Sequence, residues 1–175
     1  AARTADPQDA ILREVGVDER LGSKIPADLA FTEASGRTVR IGDYLGAGPV
    51  ILTLNYYTCP MLCPLTFRSL AATMAGVKGL SPAKDYRVVT VSINPEEIPE
   101  IAAAKAEETR AMVPALAGAD DRWPFLYGDG ESVRRLTGAV GYRYRKVGSD
   151  FAHPTVAIVL SPDGKRFAFI SQGSV

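Results

Sequence analysis

The apolar positions of this chain fall into two rhythms. "PVILTLNYY", from Pro49, and "DYRVVTVSI", from Asp85, are nearly continuous apolar runs. Runs of this kind fit central strands covered on both faces. "ADLAFTEASGRTVRIGDYLG" reads as a hairpin, with Phe31, Val39 and Ile41 as its alternating apolar positions and Ser35-Gly36 as its turn. "WPFLY" is a short strand, and "TVAIVLSPDGKRFAFIS" is a second hairpin turning at Pro162-Asp163-Gly164. Helices are expected in "MLCPLTFRSLAATMAGVKGL", in "PEEIPEIAAAKAEETRAMV" with acidic residues in its first turn, and in "DGESVRRLTGAVG" ending at Gly141. A short helix is expected near the start, in "DPQDAILREVGVDERLG", with Asp9 as N-cap and Gly16 as stop. The order is ββ, then β-α-β-α-β-α-β-β, which implies an α/β sheet with a parallel core and helices on both faces.

The length of 175 residues suits a single domain with a real core. Residues 1–25 read as a mixed N-terminal segment and 26–175 as the domain proper. The sequence ends at Val175, directly after the last strand. Covering both sheet faces is then expected to need the N-terminal segment, another chain, or a C-terminal helix outside the sequence.

Lys plus Arg and Asp plus Glu are 20 each, a balance that gives no electrostatic footprint for nucleic acid. No apolar run approaches the roughly 18 residues of a membrane span. The two cysteines, Cys59 and Cys63, are too few for a disulfide framework and do not by themselves fix a compartment.

Both cysteines lie in "YYTCPMLCPLT". Residues at i and i+4 share one helix face, about 6 Å apart, within reach of a disulfide or of one shared metal ion. Cys63, Phe67, Leu70, Met74 and Val77 recur at helical spacing, so the thiols can also be read as the start of a core stripe. Pro60 and Pro64 place the helix start at the cysteines, because proline is tolerated in a first turn. Backbone N–H groups and the helix dipole favour thiolates there, and the thiolate is the reactive and metal-binding form.

The single histidine is His153, in "DFAHPTVAIVL", at the opening of a buried strand. In this topology the start of that strand lies near the end of the first central strand, so His153 is expected to face Cys59 and Cys63. Two thiolates and an imidazole suit copper. Zinc also accepts these donors, although three ligands leave it an open position unlike a structural site. Tyr56 and Tyr57 are read as structural, one packed inward and one near the site. Glu96 and Glu97 are assigned to the start of the next helix.

"NYYTCPMLCPLTFRSL", "VVTVSINPEEIPEIAAAKAE" and "VGYRYRKVGSDFAHPTVAIVLSPDGKRF" together resemble the Sco/SenC family of copper proteins, from about residue 26 to 170. The resemblance implies an α/β, thioredoxin-like fold: a mixed sheet with helices on both faces and an N-terminal β-hairpin. It implies copper, Cu(I) or Cu(II), held by Cys59, Cys63 and His153. It implies a role in maturing the dinuclear copper (CuA) site of cytochrome c oxidase, by delivering copper or by reducing that site's cysteines. The implied partners are the CuA domain of subunit II or another copper protein, and a thioredoxin-like reductant. Family members are usually tethered by an N-terminal helix that would precede Ala1. They face the periplasm or, alternatively, the mitochondrial intermembrane space.

The sequence departs from the family pattern in three places. Asn94 stands where the family often has Asp, Ala152 stands before the histidine where Asp is common, and Pro154 follows it where Thr is more usual. The helix that follows the family's last strand is expected to lie outside this sequence. The segment after His153 is similar to that following the cis-proline of thioredoxins, so a cis His153–Pro154 bond is expected.

A second reading is a thiol–disulfide oxidoreductase or redox sensor with Cys59 as nucleophile and Cys63 as resolving thiol, needing no metal. CxxC is the more usual redox spacing. A peroxiredoxin-like reading would use one activated cysteine beside Arg68.

Overall fold

The computed structural model describes residues 7–59 and 62–171, with the side chains at 7, 8, 62, 63, 167, 169 and 171 outside the description. In chain order the elements are α1 (Pro7–Glu14), β1 (Gly16–Val17), β2 (Ala30–Glu33), β3 (Thr38–Arg40), β4 (Val50–Asn55), α2 (Leu62–Gly76), β5 (Arg87–Ser92), α3 (Pro99–Ala111), β6 (Phe125–Tyr127), α4 (Gly130–Val140), β7 (Tyr142–Arg143), β8 (Arg145–Val147), β9 (Asp150–Ala152), β10 (Val156–Leu160) and β11 (Arg166–Ser171). Seven strands form one mixed sheet in the order β11-β10-β4-β5-β6-β2-β3. β4, β5 and β6 are parallel. The terminal hairpins add antiparallel strands at either side.

The register follows from the patterning. Phe31 faces Val39 across the β2–β3 hairpin, and both are buried. Gly36 closes that turn at φ 88°, a left-handed conformation that glycine adopts without a Cβ penalty. In the centre, Val50, Leu52, Leu54, Val89 and Val91 are buried on one face, and Thr53, Asn55, Val88, Thr90 and Ser92 on the other. Both faces are therefore covered within this chain, and the expected cover from a second chain or a further helix is not required for these strands. On the Thr90 face, the α2 residue Phe67 meets Phe125 at 5.4 Å between ring centroids, and α2 packs beside α3.

The helix boundaries carry local causes. Asp129 caps α4 by accepting the Ser132 N–H at 2.8 Å, a contact worth about 1 kcal/mol. Gly141 ends α4 at φ 72°, as its sequence position predicts. Pro99 opens α3 where its missing N–H costs nothing. Two expectations are corrected. Asp9 lies inside α1 and not at its N-cap, because that helix already includes Pro7. Val77 is exposed and falls beyond the end of α2, whereas Phe67, Leu70 and Met74 of the same stripe are buried.

The hydrophobic pattern does not reveal β1, β7 or the β8–β9 hairpin. Each is short. β1 pairs with β7, and β8 presents only exposed residues, so no apolar alternation marks them.

Candidate metal centre

The site forms where β4 ends. The chain leaves β4 at Asn55, passes Tyr56 and Tyr57, and reaches Cys59 before α2 begins at Leu62. Cys59 is half-buried and packs on the core. Cys63 is the second residue of α2, and its side chain lies outside the described residues, as does Pro60. The two cysteines thus straddle the helix start and do not both ride on one helix. α2 has no acidic residue in its first turn, so nothing there opposes the helix dipole's preference for a thiolate.

His153 reaches this end of the sheet through strand pairing. β10 runs antiparallel to β4, with Ala157 opposite Thr53 and Leu160 opposite Val50. The residues that precede β10 must therefore lie beyond the end of β4. Tyr56 spans the gap. Its ring meets the His153 imidazole edge to face at 5.8 Å and Phe151 at 5.2 Å. Burial pushes the Tyr56 hydroxyl's pKa up, and a hydrogen bond to the Cys59 thiol pushes it further. One tyrosine therefore packs on His153 and has its ionisation shifted by Cys59, the two sequence-predicted donors whose side chains are described.

Burial lowers the His153 pKa and favours the neutral, metal-binding imidazole, a trend that a hydrogen bond with the Pro154 carbonyl partly offsets. Nδ1 lies 3.0 Å from the Tyr142 hydroxyl. Tyr142, buried at the start of β7, is a site neighbour that the sequence reading passed over. Its aromatic type beside the "GYRY" turn was the only signal. The peptide bonds are trans among the described residues, so the expected cis His153–Pro154 bond is corrected: the chain passes from β9 to β10 through a trans bond.

Tyr57 is structural, as expected. Its hydroxyl donates to the Leu126 carbonyl at 2.7 Å, and its ring lies against Phe125. Glu97 has a role the sequence reading missed. It is buried, and its carboxyl group accepts the Tyr57 N–H at 3.1 Å and the Ser92 hydroxyl. Glu96 is exposed, with its N–H bound by Asn94 Oδ1 at 3.0 Å. Arg68 is exposed on α2. No group of three metal-ligating side chains occurs among the described residues, which exclude the Cys63 thiol.

The sheet order and the junction together define a thioredoxin-like domain with a cysteine pair leading into its first sheet-covering helix. The chain belongs to the SCO1/SenC family, whose model matches residues 17–174. A search of the curated proteins finds no match. Among solved structures, a provisionally assigned electron transfer protein from Aquifex aeolicus VF5 is 26% identical, with a TM-score of 0.71 over 87% of this chain and 85% of that one. Copper-bound ScoI from Arabidopsis thaliana is 20% identical, with a TM-score of 0.68 over 89% and 90%. BsSco, a Sco-family cytochrome c oxidase assembly protein in which a disulfide switch was identified, is 17% identical, with a TM-score of 0.66 over 89% and 86%.

Proposed function

We propose that this protein is a copper-binding assembly factor that delivers copper to the CuA site of cytochrome c oxidase, or reduces that site's cysteines, using Cys59, Cys63 and His153. The observation that carries the reading is the β4–β10 pairing, which sets His153 at the end of β4 that leads to Cys59, with the Tyr56 ring against the imidazole. The donor chemistry fits the metal. Soft thiolates select Cu(I), and a neutral imidazole suits either copper state. Cys59 is half-buried and not sealed in the core. Copper-bound and assembly-assigned relatives support the same reading.

The residues divide the work. Cys59 and Cys63 hold Cu(I) as thiolates. His153 adds a neutral donor on the facing segment, and the Tyr56 ring packs against it. The recipient is the CuA domain of subunit II or a similar copper protein, and a thioredoxin-like reductant keeps the dithiol reduced. The site of action is the periplasmic side of the inner membrane or, alternatively, the mitochondrial intermembrane space. Membrane attachment would come from a tether outside this sequence; among the described residues, no helix is long and apolar enough to cross a membrane.

A second reading, a thiol–disulfide oxidoreductase or redox sensor using Cys59 and Cys63, is favoured by the disulfide switch of BsSco. Disulfide formation would withdraw both thiolates from copper, so one dithiol can serve either activity.

Titrating the fully reduced protein with Cu(I) against a competing chelator tests the first reading. Wild type is compared with Cys59→Ala, Cys63→Ala and His153→Ala. One tight equivalent that all three changes weaken supports the copper site. Weak binding indifferent to His153→Ala overturns it in favour of the dithiol reading.

A further inference from the structure

His153 is the only histidine in the chain, so every imidazole signal belongs to it. Four contacts define the surroundings of its Nδ1. The Tyr142 hydroxyl lies 3.0 Å from Nδ1, and the Pro154 carbonyl oxygen lies 3.2 Å from the same nitrogen. The hydroxyl itself lies 2.8 Å from the Pro154 oxygen and 3.1 Å from the Leu54 oxygen. Both carbonyls can only accept, and a phenol has one proton to give.

Proton counting decides between the two neutral tautomers. With a lone pair on Nδ1, the Tyr142 proton would have to point at it. Two carbonyl oxygens would then face the phenol oxygen with no proton between them. The Nδ1 lone pair would also face the Pro154 oxygen. Unmade hydrogen bonds of this kind are costly at a buried position, and Tyr142 is 3% exposed. With the proton on Nδ1, three of these four contacts pair a donor with an acceptor, against one of the four in the other tautomer. Nδ1–H donates to the phenol oxygen and the Pro154 carbonyl, and the hydroxyl donates to a carbonyl.

We propose that Tyr142 is a positioning residue that holds His153 in the Nδ1–H tautomer, so that Nε2 is the nitrogen presented to a metal ion. The tautomer rests on hydrogen-bond geometry alone, and the ligand role of Nε2 rests on the copper reading above. The arrangement supplies what a ligating histidine generally needs, an acceptor for its other N–H that fixes tautomer and ring orientation. Here the acceptors are a phenol and a backbone carbonyl, with no carboxylate bonded to the ring. Tyr142 is itself fixed from two sides: Gly141 ends α4 immediately before it, and its hydroxyl bridges the end of β4 to the start of β10.

Long-range proton–nitrogen NMR on metal-free, reduced, 15N-labelled protein tests this at about pH 8, above the ordinary histidine range. The expected spectrum shows a pyrrole-like Nδ1 and a pyridine-like Nε2. The reverse pattern, or two averaged nitrogens, overturns the proposal. Tyr142→Phe keeps the ring and removes the hydroxyl, and it is expected to move both nitrogens toward the average. An unchanged Nδ1–H pattern in that variant overturns the role of Tyr142. Should the variant not fold, the wild-type spectrum alone still decides the tautomer.

One equivalent of Cu(I), which is diamagnetic, is expected to shift Nε2 strongly, and Tyr142→Phe is expected to weaken Cu(I) binding by roughly 10–100-fold. A shift confined to Nδ1 overturns the proposal. An unmoved Nε2 beside bound copper overturns its ligand role together with the copper reading of His153, and leaves the tautomer standing.

Discussion

Glu97 holds the backbone of Tyr57 across 40 residues of sequence, its carboxyl group accepting the Tyr57 N–H at 3.1 Å. The same oxygen accepts the Ser92 hydroxyl at the end of β5. Glu97 thereby ties the loop before α3 to the segment that carries Cys59. Glu97→Ala strands a buried N–H and a buried hydroxyl, and is expected to cost about 2–3 kcal/mol. Glu97→Gln keeps an acceptor and is expected to cost about 1 kcal/mol. Urea unfolding measures both, and an unchanged midpoint in the alanine variant would refute the tie.

Trp123, Thr90 and Thr53 form a polar chain inside the core. The Trp123 indole N–H donates to Thr90 Oγ1 at 2.9 Å, and Thr90 and Thr53 share a hydrogen bond of 2.7 Å. Thr90→Val removes the middle link and leaves the indole N–H and the Thr53 hydroxyl buried without it. A loss of about 2–3 kcal/mol is expected. Trp123 is the only tryptophan, so its fluorescence reports the transition directly. A change within about 0.5 kcal/mol would show that the chain is energetically idle.

Gly141 is required twice over. Its φ of 72° suits glycine, and a Cβ there would lie 2.5 Å from the Asp18 carbonyl oxygen. Gly141→Ala is expected to cost at least about 2 kcal/mol from backbone strain and the clash. For a domain of this size that is a fall of roughly 4–8 °C in Tm. A melting curve coincident with wild type would mean that the Asp18 segment gives way freely.

Glu33 makes stability depend on acid pH. Burial raises its pKa, but hydrogen bonds from Arg37 at 2.8 Å, from Tyr44 and from Ser35 outweigh this and hold it below the ordinary 4.5. A carboxylate lowered in the folded state stabilises above its unfolded value and loses that contribution as pH falls through the folded one. The stability gap between wild type and Glu33→Gln is therefore expected to narrow as pH drops below about 4.5. Urea unfolding across a pH series checks this, and a gap constant into strong acid would contradict it.

The Tyr56 ring packs on His153, and the Cys59 thiol raises the pKa of the Tyr56 hydroxyl. Hydrogen-bond donation to sulfur favours the thiolate. Tyr56→Phe keeps the ring contact and removes the donor, so alkylation of Cys59 at neutral pH is expected to slow several-fold. Mass spectrometry of the Cys59 peptide after timed iodoacetamide treatment reads the rate. An equal or faster rate would show that the hydroxyl does not support the thiolate.

Much of this architecture is local information. Nearly continuous apolar runs mark β4 and β5 because both faces of a central strand are buried, and proline, aspartate and glycine mark the helix ends because they act on their own backbone. The cysteine spacing with its two prolines, and the lone histidine before a strand, identify the candidate donors for the same reason: the chemistry resides in the residue types. Tertiary structure alone decided what those residues touch. The β4–β10 pairing brings His153 to the cysteine end of the sheet, Tyr142 arrives beside it from β7, and Glu97 turns inward instead of serving the start of α3. None of these contacts leaves a periodic trace, because a single hydrogen bond between residues far apart in sequence depends on where whole elements pack and not on the pattern within any one of them.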